Sequence, residues 1–137
     1  MTRRRYLEDE LHLTVAAYLD LALPIGVPWT TIEAGGRRGM LEAVRLRRKG
    51  VKRGWPDILI FWRPVICIEL KSPIGRLSNA QKAVHQQLKA AGALVYTARR
   101  LEEVERFLRC AGVPLRATTV PLRATTVPLR ATREPNQ

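Results

Sequence analysis

The stretch "GWPDILIFWRPVICIELKS", residues 54–72, decides how this chain folds. It contains two apolar segments, rich in β-branched and aromatic residues and separated by Arg63-Pro64, which predict two adjacent buried strands joined by a tight turn. Three charges break the apolar pattern: Asp57 begins the first strand, and Glu69 and Lys71 lie near the end of the second. A buried charge is costly without a partner or a metal, so the position of these three side chains needs an explanation.

Periodicity elsewhere in the chain predicts six further elements around this strand pair. Apolar residues at helical spacing predict helices over 5–23, 40–50, 79–91 and 101–112. β-branched and aromatic runs predict strands over 27–34 and 93–98, in addition to the pair at 57–62 and 65–71. The order α-β-α-β-β-α-β-α contains both a tight turn and a β-α-β crossover, so the predicted fold is α/β with a mixed central sheet flanked by helices.

The composition indicates a polyanionic partner. The 137 residues carry 24 Lys and Arg against 12 Asp and Glu, a net charge of +12, and the basic residues cluster, which favours nucleic acid over a chain that is merely basic and soluble. No apolar run approaches the ~20 residues that cross a bilayer, and the N-terminus lacks the apolar segment of a signal peptide. Cys67 and Cys110, expected in a strand and near a helix end, indicate reduced thiols in a cytosolic protein.

The C-terminal segment repeats itself. "VPLRATT" at 113–119 recurs at 120–126 and, as "VPLRATR", at 127–133. A proline in every copy is incompatible with a coiled coil, so we expect one domain over 1–112 followed by a flexible tail over 113–137. An arm that tracks DNA with one arginine per copy is the alternative.

The charges of the two predicted strands can form a hydrolytic site. Alternate side chains of a strand share a face, so Glu69 and Lys71 point the same way, and Asp57 on the neighbouring strand can lie beside Glu69. Converging carboxylates supply the oxygen ligands that suit Mg²⁺ or Mn²⁺, and a nearby ammonium can orient water or stabilise charge on a phosphate. These parts serve phosphodiester hydrolysis. A structural ion pair at a strand end is the alternative.

The spacing of these residues resembles a known nuclease signature. A Pro-Asp pair, eleven residues and then Glu-Leu-Lys are similar to the motif of the PD-(D/E)XK nuclease superfamily, carried here by Pro56, Asp57, Glu69, Leu70 and Lys71. The flanking segments "RRKGVKRGWPDILIF" and "IELKSPIGRLSNAQKAVHQQLKAAGA" resemble, more narrowly, the VRR-NUC family of virus-type replication-repair nucleases. The resemblance covers about residues 6–110, nearly the whole chain except the repeats.

The resemblance implies a restriction-endonuclease-like fold and a nuclease site that uses Mg²⁺ or Mn²⁺. Asp57, Glu69 and the backbone carbonyl of Leu70 would hold the metal, and the catalytic set would be Asp57, Glu69, Lys71 and Gln81. Stand-alone members of the family resemble Holliday-junction resolvases. The resemblance therefore implies a homodimer that cuts branched DNA during repair or recombination, in the cytoplasm of a bacterium or under the direction of a phage. Flap or end-processing nucleases, nickases and a non-catalytic basic DNA-binding module are the alternatives.

The family also implies a metal ligand from the first helix, for which Glu8, Asp9 and Glu10 are the candidates. On a helical wheel Leu7 and Leu11 mark the apolar stripe that faces the sheet. Glu8 lies beside this stripe, whereas Asp9 faces away and Glu10 lies on the far side. We therefore expect Glu8 to be the ligand, with a charge that only complements the helix dipole as the alternative.

Gln81 has two predicted roles. The resemblance implies a place next to the catalytic lysine, while "SNAQ", 78–81, is a capping box in which Gln81 reaches back to Ser78. The two roles are compatible. His85 follows four residues later on the same helical face and is predicted only to be a helix residue near the cleft.

Basic residues crowd the approach to Asp57 and are expected to bind DNA phosphates; they are Arg37, Arg38, Arg48, Lys49, Lys52 and Arg53. A solvated helix face is the alternative. Phosphate contacts carry no sequence information, and no helix-turn-helix or zinc-finger pattern accompanies the domain. We therefore expect recognition of DNA shape rather than DNA sequence.

Overall fold

The computed structural model describes residues 2–32 and 39–116. Its helices are α1 (Arg3–Ala22), α2 (Met40–Arg48), α3 (Asn79–Ala90) and α4 (Leu101–Cys110), and its strands are β1 (Trp29–Thr31), β2 (Ile58–Ile60), β3 (Ile66–Leu70) and β4 (Leu94–Ala98). The predicted order of elements is confirmed. β1 and β2 pair with each other over three residues. β2 is shorter than predicted, and residues 33–34 of the predicted first strand lie outside the described residues.

The four strands form one sheet in the order β1-β2-β3-β4. β2 is antiparallel to both β1 and β3, whereas β3 and β4 run parallel and are connected through α3, as the tight turn and the crossover predict. β3 is therefore a central strand, and all of its residues are buried. A mixed sheet flanked by helices confirms the predicted fold class.

Alternation along β3 divides its side chains between two layers. Ile66, Ile68 and Leu70 belong to the main hydrophobic core together with side chains of α1 and α4, whereas Glu69 contacts side chains of α3. The apolar stripe of α1 differs from the prediction at Leu7, which is 37% exposed. The first turns of α1 reach past the core to the polar end of β3, so this leucine has no apolar layer to join.

The basic loop before β2 packs against the start of α3. Gly54 has φ +85°, in the left-handed region, and a Cβ at this position would lie 2.5 Å from the carbonyl oxygen of Ala80. Only glycine tolerates both the conformation and the contact. The loop that precedes Asp57 is thereby held beside the helix that carries Gln81.

The first repeat begins inside the folded domain. Val113 is buried and Leu115 packs against the core. Arg116 donates from its side chain to the carbonyl oxygens of Leu23 at 2.8 Å and Asp20 at 2.9 Å, and from its backbone N–H to a third carbonyl at the end of α1. Residues 113–116, which the predicted division assigns to the tail, thus contact the core and α1, and the later copies lie outside the described residues.

Across residues 2–32 and 39–116, no helix combines the length and the apolar character that a membrane span requires.

Candidate active site

The two strand carboxylates lie side by side at one end of β2 and β3. Ile58 is opposite Ile68 in the antiparallel register, which aligns Asp57 with Glu69. Asp57 Oδ2 accepts a hydrogen bond of 2.7 Å from the backbone N–H of Leu70. The strand pair therefore sets the spacing of the two acids and the orientation of Asp57.

Glu69 is the most deeply buried acid of the site. It is 2% exposed, and Lys71, on the same face of the strand, is 7% exposed. Glu69 Oε1 accepts a hydrogen bond of 2.7 Å from Gln81 Nε2 and lies 3.4 Å from Lys71 Nζ. A helix and a strand thus each bring a donor group to the same carboxylate oxygen.

α1 brings a third carboxylate to this end of the sheet. Glu8 Oε1 accepts a hydrogen bond of 3.2 Å from the backbone N–H of Ser72 and lies 3.6 Å from Arg4 Nε. Gly75 makes room for this approach, because a Cβ there would lie 3.0 Å from Glu8 Oε1. Of the three acidic candidates in the first helix, Glu8 is the one that contacts the end of β3, whereas Asp9 is exposed.

Arg99 holds the turn against which Glu8 rests. Its Nη1 donates to the carbonyl oxygens of Ser72 at 2.8 Å and Gly75 at 2.6 Å. Because a guanidinium group is planar and rigid, two such bonds restrict the turn more than a flexible ammonium would. No sequence motif marks Arg99; its place directly after β4, beside the end of β3, was the available signal.

Burial, with added repulsion from neighbouring acids, raises the pKa of two acids of the site. Burial, followed by repulsion from Asp57, raises the pKa of Glu69 to about 7, although Lys71 opposes the shift. Burial also raises the pKa of Asp57, against a backbone hydrogen bond and the positive potential of His12 and Lys71. Repulsion from Glu8 adds to both shifts. Burial therefore disfavours the charged form of both strand acids in the metal-free protein.

This donor set fits a hard divalent cation. Carboxylate oxygens are the ligands that Mg²⁺ and Mn²⁺ prefer, and Glu69 Oε2 is buried with no hydrogen-bond partner among the described residues. Within those residues, no three His, Cys, Asp or Glu side chains form a ready metal cage. Binding of an ion would thus require the side chains of Glu8, Asp57 and Glu69 to move closer together. The role of the Leu70 backbone carbonyl as a metal ligand stays a prediction.

Gln81 completes the predicted capping box and contacts Glu69, whereas its predicted place next to Lys71 stays a prediction. Its backbone N–H donates to Ser78 Oγ at 3.1 Å, and its side-chain oxygen accepts from the backbone N–H of Ser78 at 2.9 Å, which completes the capping box. The amide nitrogen remains free to bind Glu69. Because an amide side chain has separate donor and acceptor atoms, one residue can cap α3 and contact the site.

α1 carries a second polar side chain near the site, one that no sequence motif marks. His12 follows Glu8 by one helical turn, and its Nε2 lies 3.1 Å from Thr31 Oγ1 on β1. It is close enough to Asp57 to counteract part of the rise in that pKa. The spacing of four residues from Glu8 was the signal that could have found it.

The predicted DNA contacts that the structure describes are exposed and precede the site in the chain; they are Arg48, Lys49, Lys52 and Arg53. They occupy the end of α2 and the loop that Gly54 holds against α3. Arg37 and Arg38 lie outside the described residues. These basic residues therefore come shortly before Asp57 and β2 in the chain.

The mixed sheet and the acids at its end define a nuclease-like α/β domain. The model of the VRR-NUC domain matches residues 32–100, and the chain belongs to the VRR-NUC family, which implies a nuclease-type function. A solved structure described as "VRR_NUC domain protein" is similar in fold, with a TM-score of 0.60, 22% sequence identity, and coverage of 74% of this chain and 84% of the other. No curated protein matches the chain.

Proposed function

We propose that this protein is a Mg²⁺- or Mn²⁺-dependent endodeoxyribonuclease that hydrolyses phosphodiester bonds in branched DNA, in the manner of a Holliday-junction resolvase. The observation that carries the proposal is the meeting of Asp57, Glu69 and Lys71 at one end of the sheet, beside Glu8 from α1. Membership of the VRR-NUC family supports the nuclease chemistry.

Asp57 and Glu69 would hold the cation, with Glu8 and the backbone carbonyl of Leu70 as further ligands. When bound, such an ion lowers the pKa of water and polarises a phosphoryl oxygen. The chain prepares both acids in advance, because Leu70 N–H holds Asp57 and Gln81 holds Glu69. Groups that are oriented before the substrate arrives need little reorganisation in the transition state.

Lys71 is the cation that the chain itself supplies to the reaction. Its ammonium lies 3.4 Å from Glu69 Oε1 and is shielded from bulk water. Charge interactions are stronger in such surroundings than in water, so Lys71 can stabilise negative charge that develops on a phosphate and can orient the attacking water. Lys71→Ala should abolish cleavage while DNA binding remains.

The charge of the chain supports DNA as the substrate. The net charge is +12, and the loop and helix end before Asp57 expose Arg48, Lys49, Lys52 and Arg53, to which the sequence adds Arg37 and Arg38. Contacts of this kind bind phosphates and favour a DNA shape over a DNA sequence. A homodimer would bring two equivalent sites to the two strands that must be cut in a junction.

The test is cleavage of a labelled four-way junction, a flapped duplex and a linear duplex of matched sequence, in Mg²⁺, Mn²⁺ or EDTA, by wild type and Asp57→Ala. Paired, metal-dependent cuts in the junction that vanish in the variant support the proposal. Metal-dependent cutting of flaps, ends or a single strand would instead assign a flap nuclease, an end-processing nuclease or a nickase. Binding without cutting in every condition would leave a non-catalytic DNA-binding module.

A further inference from the structure

The two oxygens of Glu69 have unequal surroundings. Oε1 accepts a hydrogen bond from Gln81 and lies near Lys71, whereas Oε2 is buried without a partner among the described residues. His85 Nε2 faces Oε2 at 3.8 Å and, within the same part of the chain, is also buried without a hydrogen-bond partner. An unpaired buried polar atom is costly. Two such atoms that face each other therefore indicate a hydrogen bond that forms in another state of the site.

His85 and Gln81 lie one helical turn apart on the face of α3 that meets β3. Gln81 Nε2 already holds one oxygen of Glu69, and His85 Nε2 lies opposite the other. A movement of less than about 1 Å would bring His85 Nε2 within hydrogen-bond distance of Oε2. A neutral imidazole carries one N–H, which it can donate from Nε2.

We propose that His85 is a positioning residue for Glu69: its Nε2–H would donate to one lone pair of Oε2 while Gln81 holds Oε1, which leaves other lone pairs of the carboxylate for the ion. A carboxylate that is held at one oxygen can still rotate, whereas one that is held at both keeps its alignment with Asp57. His85 thus acts on the reaction only through Glu69. The inference rests on the proposed metal-dependent nuclease site and adds a residue that orients one of its ligands.

The test compares three variants with wild type by calorimetric titration of Mn²⁺ and Mg²⁺ in the absence of DNA. His85→Leu fills the space without a donor, and His85→Gln restores an amide N–H near the position of Nε2. Gln87→Leu, at an exposed position of the same helix, controls for the added apolar side chain. Thermal unfolding of the metal-free proteins and the metal dependence of cleavage are measured on the same preparations.

We expect His85→Leu to weaken metal binding by about 10- to 100-fold, the usual effect of removing the group that orients a ligand. His85→Gln and Gln87→Leu should bind metal as wild type does. The metal-free His85→Leu protein should unfold at the wild-type temperature or above, because an unpaired buried polar atom has been replaced by an apolar group. In cleavage assays, the metal concentration for half-maximal rate should rise more than the maximal rate falls.

Three outcomes would overturn the inference. Metal affinity equal to wild type in a folded His85→Leu protein would remove the positioning role and leave the nuclease proposal intact. Loss of affinity in both His85→Leu and His85→Gln would make His85 a direct ligand instead. Wild-type protein that binds no divalent cation would reject the metal site and the positioning role together.

Discussion

At its N-terminal end α1 brings Glu8 to the end of β3, and at its C-terminal end it accepts hydrogen bonds from Arg116. The two ends differ in how completely their polar groups are paired. Arg116 donates to three carbonyl oxygens at the end of the helix. Around Glu69, two buried polar atoms that face each other have no partner among the described residues, and two acids have raised pKa values. The hydrogen bonds of Arg116 serve stability, whereas buried acids with raised pKa values and unpaired polar atoms suit a site that binds a ligand.

Substitution of Asp57 should give the largest difference between an effect on cleavage and an effect on stability. Asp57→Asn removes a charge but keeps an acceptor for the N–H of Leu70, so cleavage should fall by at least about a thousandfold. The unfolding temperature should stay the same or rise, because repulsion with Glu69 is relieved. Single-turnover cleavage and thermal unfolding check the two halves of this prediction. Asp9→Asn, at an exposed position of α1, should change neither, and a variant of Asp57 that loses stability together with activity would contradict the separation of the two ends.

A substitution at Gly54 should disrupt the approach to the site. The added Cβ of Gly54→Ala meets the backbone of Ala80 at 2.5 Å, and we expect a loss of about 3 kcal/mol of unfolding free energy in urea titrations. Gly92→Ala is the matched control, since Gly92 also has a left-handed φ, +98°, but nothing lies within 4 Å of its added Cβ. The control should lose only about 1–2 kcal/mol. Equal losses would show that the loop can move away from α3 without cost.

Metal binding and folding stability should depend on pH in opposite directions at the site. Glu69, with a pKa of about 7 in the metal-free fold, must lose its proton to bind a cation. Apparent affinity for Mn²⁺ should therefore rise by about tenfold between pH 6 and pH 8. The stability of the metal-free fold should move in the opposite direction: the folded form holds this proton more tightly than the unfolded chain, so stability is lost as the pH rises through 7. Titration calorimetry and thermal unfolding at both pH values test this, and a pH-independent affinity would count against Glu69 as a ligand.

Substitution of Arg116 should give the smallest effect. In contrast to Asp57→Asn, it should lower stability and leave cleavage unchanged. Because later copies repeat Val-Pro-Leu-Arg, Arg116→Ala is best made in a chain that ends at Thr119. The loss of its side-chain bonds to the end of α1 should lower the unfolding free energy by about 1 kcal/mol, with cleavage at 25 °C unchanged. Arg109→Ala, which removes an exposed ion pair with Glu105, should have no measurable effect. A loss of cleavage in the Arg116 variant would mean that the two ends of α1 are coupled.

Much of the fold and the centre of the site could be predicted, because they depend on patterns within short segments. A tight turn between two apolar runs sets an antiparallel pair, and its register aligns Asp57 with Glu69. Helical geometry likewise selects Glu8 over Asp9 as the side chain beside the apolar stripe. The capping box of α3 follows from four residues of sequence.

The supporting contacts could not be predicted, because they join residues that are distant in the chain. Arg99 holds the turn at Ser72 and Gly75 only once β4 lies parallel to β3. His12 affects Asp57 only because α1 packs beside the strands. The packing of Arg116 on α1 was also missed, since one repeat copy has the same sequence as the next.

The sequence by itself determined which charged residues share a face of a strand or a helix, since side-chain direction within an element follows from its period. Only the tertiary structure decided how those charges are paired: Glu69 Oε1 with Gln81, and Oε2 facing His85 across 3.8 Å. The physical reason is that a hydrogen bond depends on tenths of an ångström between atoms of different elements. No local pattern specifies such distances, because they result from the packing of α3 against β3.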